Sequence, residues 1–72
     1  MKKRMIIDGM SCSHCAARVK KALEEIDGVT DVVVDLDTKT AVFDSTDDVK
    51  DNDLKYAVEE AGYDAVNVEI LI

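Results

Sequence analysis

Cys12 and Cys15 are the only cysteines in this sequence, and two residues separate them. Such a pair placed where a loop enters a helix can converge on one point, with Cys12 on the loop and Cys15 in the first helical turn. The helix N-terminus favours negative charge and so lowers the thiol pKa, most strongly for Cys15. Thiolates are the donors that a soft metal ion prefers. The same pair can also close a disulfide or work as a thioredoxin-like redox couple. The placement at a helix start permits that chemistry, but nothing in the sequence supplies a peptide-substrate groove or the longer thioredoxin pattern. A structural zinc site would need four ligands, and this segment offers two thiols and one badly placed imidazole, His14. Imidazole is a common ligand, yet His14 sits between the two cysteines and is expected to face solvent or a docked partner, where it would tune access and pH response. Met10 reads as a flexible apolar gap-filler that anchors the loop.

The flanking pattern predicts the elements that hold this loop. Lys3 to Asp8 alternates, with Met5 and Ile7 on one face, and Gly9 ends a short strand. Ala16, Val19, Leu23 and Ile26 recur at helical spacing, with Ser13 the expected cap and Asp27-Gly28 the stop. Val29 to Leu36 is β-branched, with Val32, Val34 and Leu36 on one face, and Asp37-Thr38-Lys39 turns it back into a strand from Thr40 to Phe43. The register of that strand is open to a one-residue slip, with either Ala41 and Phe43 or Val42 inside. Asp44 to Lys50 reads as a connection. Leu54, Ala57, Val58 and Ala61 stripe a second helix ended by Gly62, and Val66, Val68, Ile70 and Ile72 alternate in a last strand. The order βαββαβ implies an α+β, ferredoxin-like sandwich, a four-stranded antiparallel sheet with two helices on one face. Fold alone does not give function.

At 72 residues the chain has room for one domain, residues 1–72, and one modest core, and 47% of its residues are apolar. Residues 1–21 hold six basic side chains against one acid, while the remainder holds three against fifteen, for a net charge of −7. Phosphate binding needs a basic stripe with base-reading or aromatic partners, and the basic end has none, so no nucleic-acid role is expected. The polarity suits electrostatic docking onto another protein. The start, Met1 to Ile7, resembles the head of an export signal, but its apolar run stops at Asp8-Gly9. No export segment and no membrane insertion are expected, which makes a reducing, cytoplasmic setting the default.

With Met10, Cys12 and Cys15 in a Met-x-Cys-x-x-Cys motif, the Gly28-Val29 turn, the Val32, Val34, Leu36 pattern and Ala61-Gly62-Tyr63-Asp64 late on, the chain resembles the heavy-metal-associated domains over nearly its whole length. That family contains copper chaperones and the N-terminal modules of copper-transporting P-type ATPases. The resemblance implies Cu(I) bound near the surface by Cys12 and Cys15. It also implies that Met10 is turned inward and that Tyr63, brought beside the loop, shields the sulfurs. Met10, Ser11, Ser13, His14 and Tyr63 are thus expected around the thiols and off the ion. Ser11 stands where zinc- and cadmium-associated relatives often carry an acid, so the site stays all-sulfur.

The expected role is a non-enzymatic copper chaperone that passes Cu(I) by ligand exchange to a P-type ATPase metal-binding domain, with Arg18, Lys20 and Lys21 forming a locally positive docking surface. A copper-bridged homodimer is a further expected assembly. One alternative is an excised N-terminal metal-binding domain of such an ATPase, although a chain running from Met1 to its last strand without linker residues favours the independent carrier. Others are a disulfide oxidoreductase and a mercury carrier, the latter disfavoured by the lack of an export signal.

Overall fold

The computed structural model describes residues 1–71. Alternation in the first segment sends Met5 and Ile7 to one side of β1 (Lys2–Asp8), and both are fully buried. The elements that follow are α1 (Ser13–Glu24), β2 (Val29–Asp35), β3 (Thr40–Ser45), α2 (Asp51–Glu60) and β4 (Asp64–Ile70). The four strands form one antiparallel sheet in the order β2-β3-β1-β4. Both helices cover its Met5/Ile7 face. Val19 and Leu23 of α1 and Leu54 and Val58 of α2 meet Met5, Ile7, Ala41 and Phe43 in a single core. This is the ferredoxin-like βαββαβ arrangement, and the slip left open for β3 is resolved with Ala41 and Phe43 inside.

Three expectations are corrected. Asp44 and Ser45 belong to β3 and not to the connection, because the Ser45 backbone N–H bonds the Met1 carbonyl at 2.8 Å and Ser45 pairs with Val29. The even alternation expected of β4 fails, because the β1–β4 register shifts between Ile6 and Ile7. Val66 is the extra residue of that bulge and is exposed, while Ala65 and Val68 face the core. Ile70 shares their face at the sheet's open end, where it stays exposed, and Ile72 lies outside the described residues. Ser13 does not cap α1; the cap position belongs to Cys12, whose side chain makes no capping hydrogen bond. Lys3 shares the inner face with Met5 and is buried, its ammonium 3.1 Å from Asp51. Asp51 opens α2, where a carboxylate is favoured by the helix dipole, so the pair ties the start of the central strand β1 to the helix start.

The topology places the end of β1, the β2–β3 turn and the start of β4 at one end of the sheet. The loop from Gly9 to Cys12 leaves from that end.

Candidate metal centre

Met10 anchors the loop from below. It is 2% exposed and belongs to the core cluster, as its thioether chemistry suggests. Burying it pins the loop while the next residues are pushed to the surface. Cys12 is exposed and Cys15 half-buried, and their sulfurs are 3.3 Å apart as free thiols. The Ala16 N–H closes the first turn of α1 on the Cys12 carbonyl at 3.1 Å. Cys15 therefore sits in that first turn, with the unpaired N–H groups of the helix start about it.

Several donors converge on the Cys15 sulfur. The Tyr63 hydroxyl contributes most, followed by the Ser11 backbone N–H and the Cys12 side chain, with the Cys12 backbone N–H adding less. Together they outweigh partial burial and pull the thiol from 9.0 to about 6. The Tyr63 hydroxyl is pushed above its ordinary value of 10.0, chiefly because its proton is held by Cys15, with burial and the thiolate charge acting in the same sense. The positive charge of Arg18 opposes that rise.

The sign of the resulting pH dependence is fixed. Below about pH 6 Cys15 carries a proton that a metal must displace; above it the thiolate is already formed. Iodoacetamide modification of Cys15 in the metal-free protein, scored separately from Cys12 by mass spectrometry, should accelerate with pH about a midpoint near 6. Tyr63→Phe should move that midpoint towards the ordinary thiol value. A midpoint already at 9.0 in the wild-type protein would contradict the hydrogen-bond arrangement.

The predicted site residues separate into two groups. Met10, Cys12, Cys15 and Tyr63 are brought together, with the Tyr63 ring lying 3.6 Å from where a Cβ on Gly9 would stand. Ser11 takes part through its backbone. Ser13 and His14 are exposed and make no hydrogen bond with the pair. Among the described residues no group of three Cys, His, Asp or Glu side chains is placed to hold a metal ion, so the thiols stand as a pair.

Arg18, Lys20 and Lys21 do not form one patch. Arg18 and Lys21 line a groove of about 540 Å³ between α1 and α2. Lys20 lies on the other flank of α1, in a depression against Val32, Val33 and Val34. The thiol end also carries acids, since Asp8 pairs with Asp64 across β1 and β4 and Asp37 shares a depression with Ser13. The expected positive surface is thus restricted to the flanks of α1. Sequence reading missed Gly9 as the seat of the Tyr63 ring, although the Asp8-Gly9 break marked a sharp change of direction there. No helix among the described residues is long and apolar enough to cross a membrane.

The fold recurs in known proteins. The copper chaperone CopZ of Staphylococcus aureus is 41% identical over 61 residues, spanning 83% of this chain and 90% of the relative. A solved CopZ metallochaperone superimposes with a TM-score of 0.86 at 37% identity, covering 92% of this chain and all of that one. The N-terminal domain of a potential copper-translocating P-type ATPase from Bacillus subtilis, solved in its Cu(I)-loaded state, superimposes with a TM-score of 0.82 at 31% identity, covering 96% and 84%. The heavy-metal-associated domain model matches residues 4–64, which take in most of β1, both helices, β2 and β3, and the chain is therefore a member of the heavy-metal-associated domain family.

Proposed function

We propose that this protein is a Cu(I) carrier that holds one ion between Cys12 and Cys15 and hands it on by ligand exchange. The observation that carries this reading is the geometry of the pair: two thiols 3.3 Å apart on the surface, with no third ligand group among the described residues. Two soft donors suit Cu(I), which accepts low coordination numbers, and do not close the shell that Zn(II) prefers. The relatives support the same cargo, being a copper chaperone and a Cu(I)-loaded ATPase domain.

The mechanism follows from the open flanks. A thiolate from a docked partner enters beside Cys12, the exposed member of the pair. A three-coordinate ion forms, and one original thiolate leaves, so the ion is never free. The protein acts as a carrier and catalyses no reaction. Both thiols must stay reduced, which fits the cytoplasm. The partner is the metal-binding domain of a copper-transporting P-type ATPase. The likeness to such a domain also favours a second reading, that this chain is itself a module of a transporter; the gene sequence on either side separates the two. Anaerobic titration of the reduced protein against a competing Cu(I) chelator tests the cargo, with one tightly held Cu(I) per chain expected and no competition contradicting it.

Docking draws on the basic flanks of α1. The double variant Lys20→Glu, Lys21→Glu should slow transfer to an acidic-faced acceptor domain and weaken its salt dependence, while Cu(I) affinity stays nearly constant. Stopped-flow transfer at two ionic strengths checks this, and equal rates for variant and wild type remove the docking role.

An exposed pair can also complete its coordination with thiolates of a second copy. Copper loading without added thiol should therefore give dimers in light scattering at high protein concentration, and glutathione should disperse them. A monomer at every copper ratio argues against open coordination.

A further inference from the structure

We propose that the groove between α1 and α2 is the contact surface for a second copy of this chain, and that two metal-free copies associate through it about a two-fold axis. The face is self-complementary in shape. Ala22, Ala57 and Ala61 line the groove, small and half-buried, so the space between the helices stays open. Beside them stands Tyr56, 63% exposed. A hole and an aromatic knob on one surface meet the condition for an isologous pair, in which the same patch serves both copies.

The charges complement one another in the same sense. α1 starts at the thiol end, and α2 ends there, just before Asp64 pairs with Asp8. The helices are therefore antiparallel, with Arg18 level with Glu60 and Glu25 level with Asp53 along the groove. A two-fold axis running along the groove lays α1 of one copy over α2 of the other at the same level. Arg18 and Lys21 then face the partner's Glu60, and Tyr56 enters the opposite groove beside the partner's Lys21, where cation and ring attract. None of these charges is spent within the chain, since the ion pairs among the described residues are Lys3–Asp51 and Arg4–Glu69. One contact opposes the pairing, because Glu25 meets the partner's Asp53 at the far end. Helices of 12 and 10 residues are at most about 18 Å long. A face that short and two helices wide falls below the roughly 800 Å² per partner of a stable interface. The pair is thus weak and forms only at high concentration. On the docking reading given above, Lys21 is covered in the pair and free in the monomer, so self-association withholds the carrier from its acceptor. Unlike the copper-bridged dimer, this pair needs no metal, and it is dispersed by salt and not by glutathione.

Sedimentation equilibrium of the reduced, metal-free protein with a chelator present is the test, at concentrations up to about 1 mM, the range of dissociation constant expected for so small a face. Wild type should pair, and high salt should reverse it. Arg18→Glu with Lys21→Glu should weaken pairing at least about tenfold, and Glu60→Lys should do the same, because each sets like charges against one another. Mixing these two variants should restore pairing, since each then presents the charges that the other lacks. Asp53→Asn should tighten it about twofold by relieving the contact with Glu25. All four positions are exposed, and circular dichroism checks that each variant keeps its fold. The proposal is overturned if wild type stays monomeric throughout, if either charge variant pairs as wild type does, if their mixture stays monomeric, or if Asp53→Asn weakens the pair.

Discussion

Replacing Cys12 and Cys15 together by serine is expected to reduce bound Cu(I) from one ion per chain to none, while the chain keeps its fold. The loss should be near total because a serine hydroxyl is a hard donor that stays protonated at neutral pH, whereas soft Cu(I) binds thiolates. Each single variant should lose tight binding as well, since one thiolate leaves the ion open to any competing chelator. The fold should survive because Cys12 is exposed and Cys15 only half-buried, outside the fully buried core. Substitutions at such positions typically cost less than about 1 kcal/mol. Equilibrium dialysis with metal analysis reads the binding, and circular dichroism reads the fold. Full copper retention in the double variant would falsify the site assignment.

A large effect on stability, as distinct from binding, is expected at Gly28. Its φ is +95°, a backbone conformation that side-chain-bearing residues rarely adopt, and its carbonyl accepts the Thr46 N–H at 3.0 Å. A Cβ there would stand 2.6 Å from Thr46 Oγ1 and 2.9 Å from Val49 Cγ2. Thr46 is exposed and can turn its hydroxyl away, but Val49 is buried in the core and cannot yield without opening a gap. Strain of this kind costs about 1 to 3 kcal/mol, and overpacking adds about 1 kcal/mol or more. Gly28→Ala should therefore lower Tm by roughly 10 °C or more in a domain of this size. Gly62 supplies the control, because its φ of +98° is similar but nothing lies within 4 Å of an added Cβ. Gly62→Ala should cost only the backbone part, a clearly smaller drop. Equal melting shifts for the two variants would remove the steric argument at Gly28.

The parts of this molecule legible in the sequence are those fixed by local pattern. The alternation of Met5 and Ile7, the stripe of Val19 and Leu23, and the stripe of Leu54 and Val58 each name a buried face without reference to other segments. What failed depended on distant pairing. Val66 reads as an inward residue by alternation, but the bulge that turns it out is set by how β4 meets β1. Asp31, with φ of 54°, marks a similar irregularity in β2 that no residue type announced. Ser45 looked like loop because it is polar, and it is strand because Met1 and Val29 supply its backbone partners.

The site divides the same way. Met10, Cys12 and Cys15 lie within six consecutive residues, and their chemistry is readable from spacing. Tyr63 is remote in sequence, so only the fold and the family resemblance put it beside them, and the structure lays its ring against Gly9.

The claim that Cu(I) is held by the two thiolates alone is tested most directly by X-ray absorption spectroscopy of the reduced protein loaded with one equivalent of Cu(I) under anaerobic, dilute conditions. A Cu(I) edge with two sulfur neighbours and no nitrogen or oxygen bound to the metal is expected. A nitrogen neighbour, which would bring His14 onto the ion, or copper surrounded by light atoms without sulfur, would contradict it.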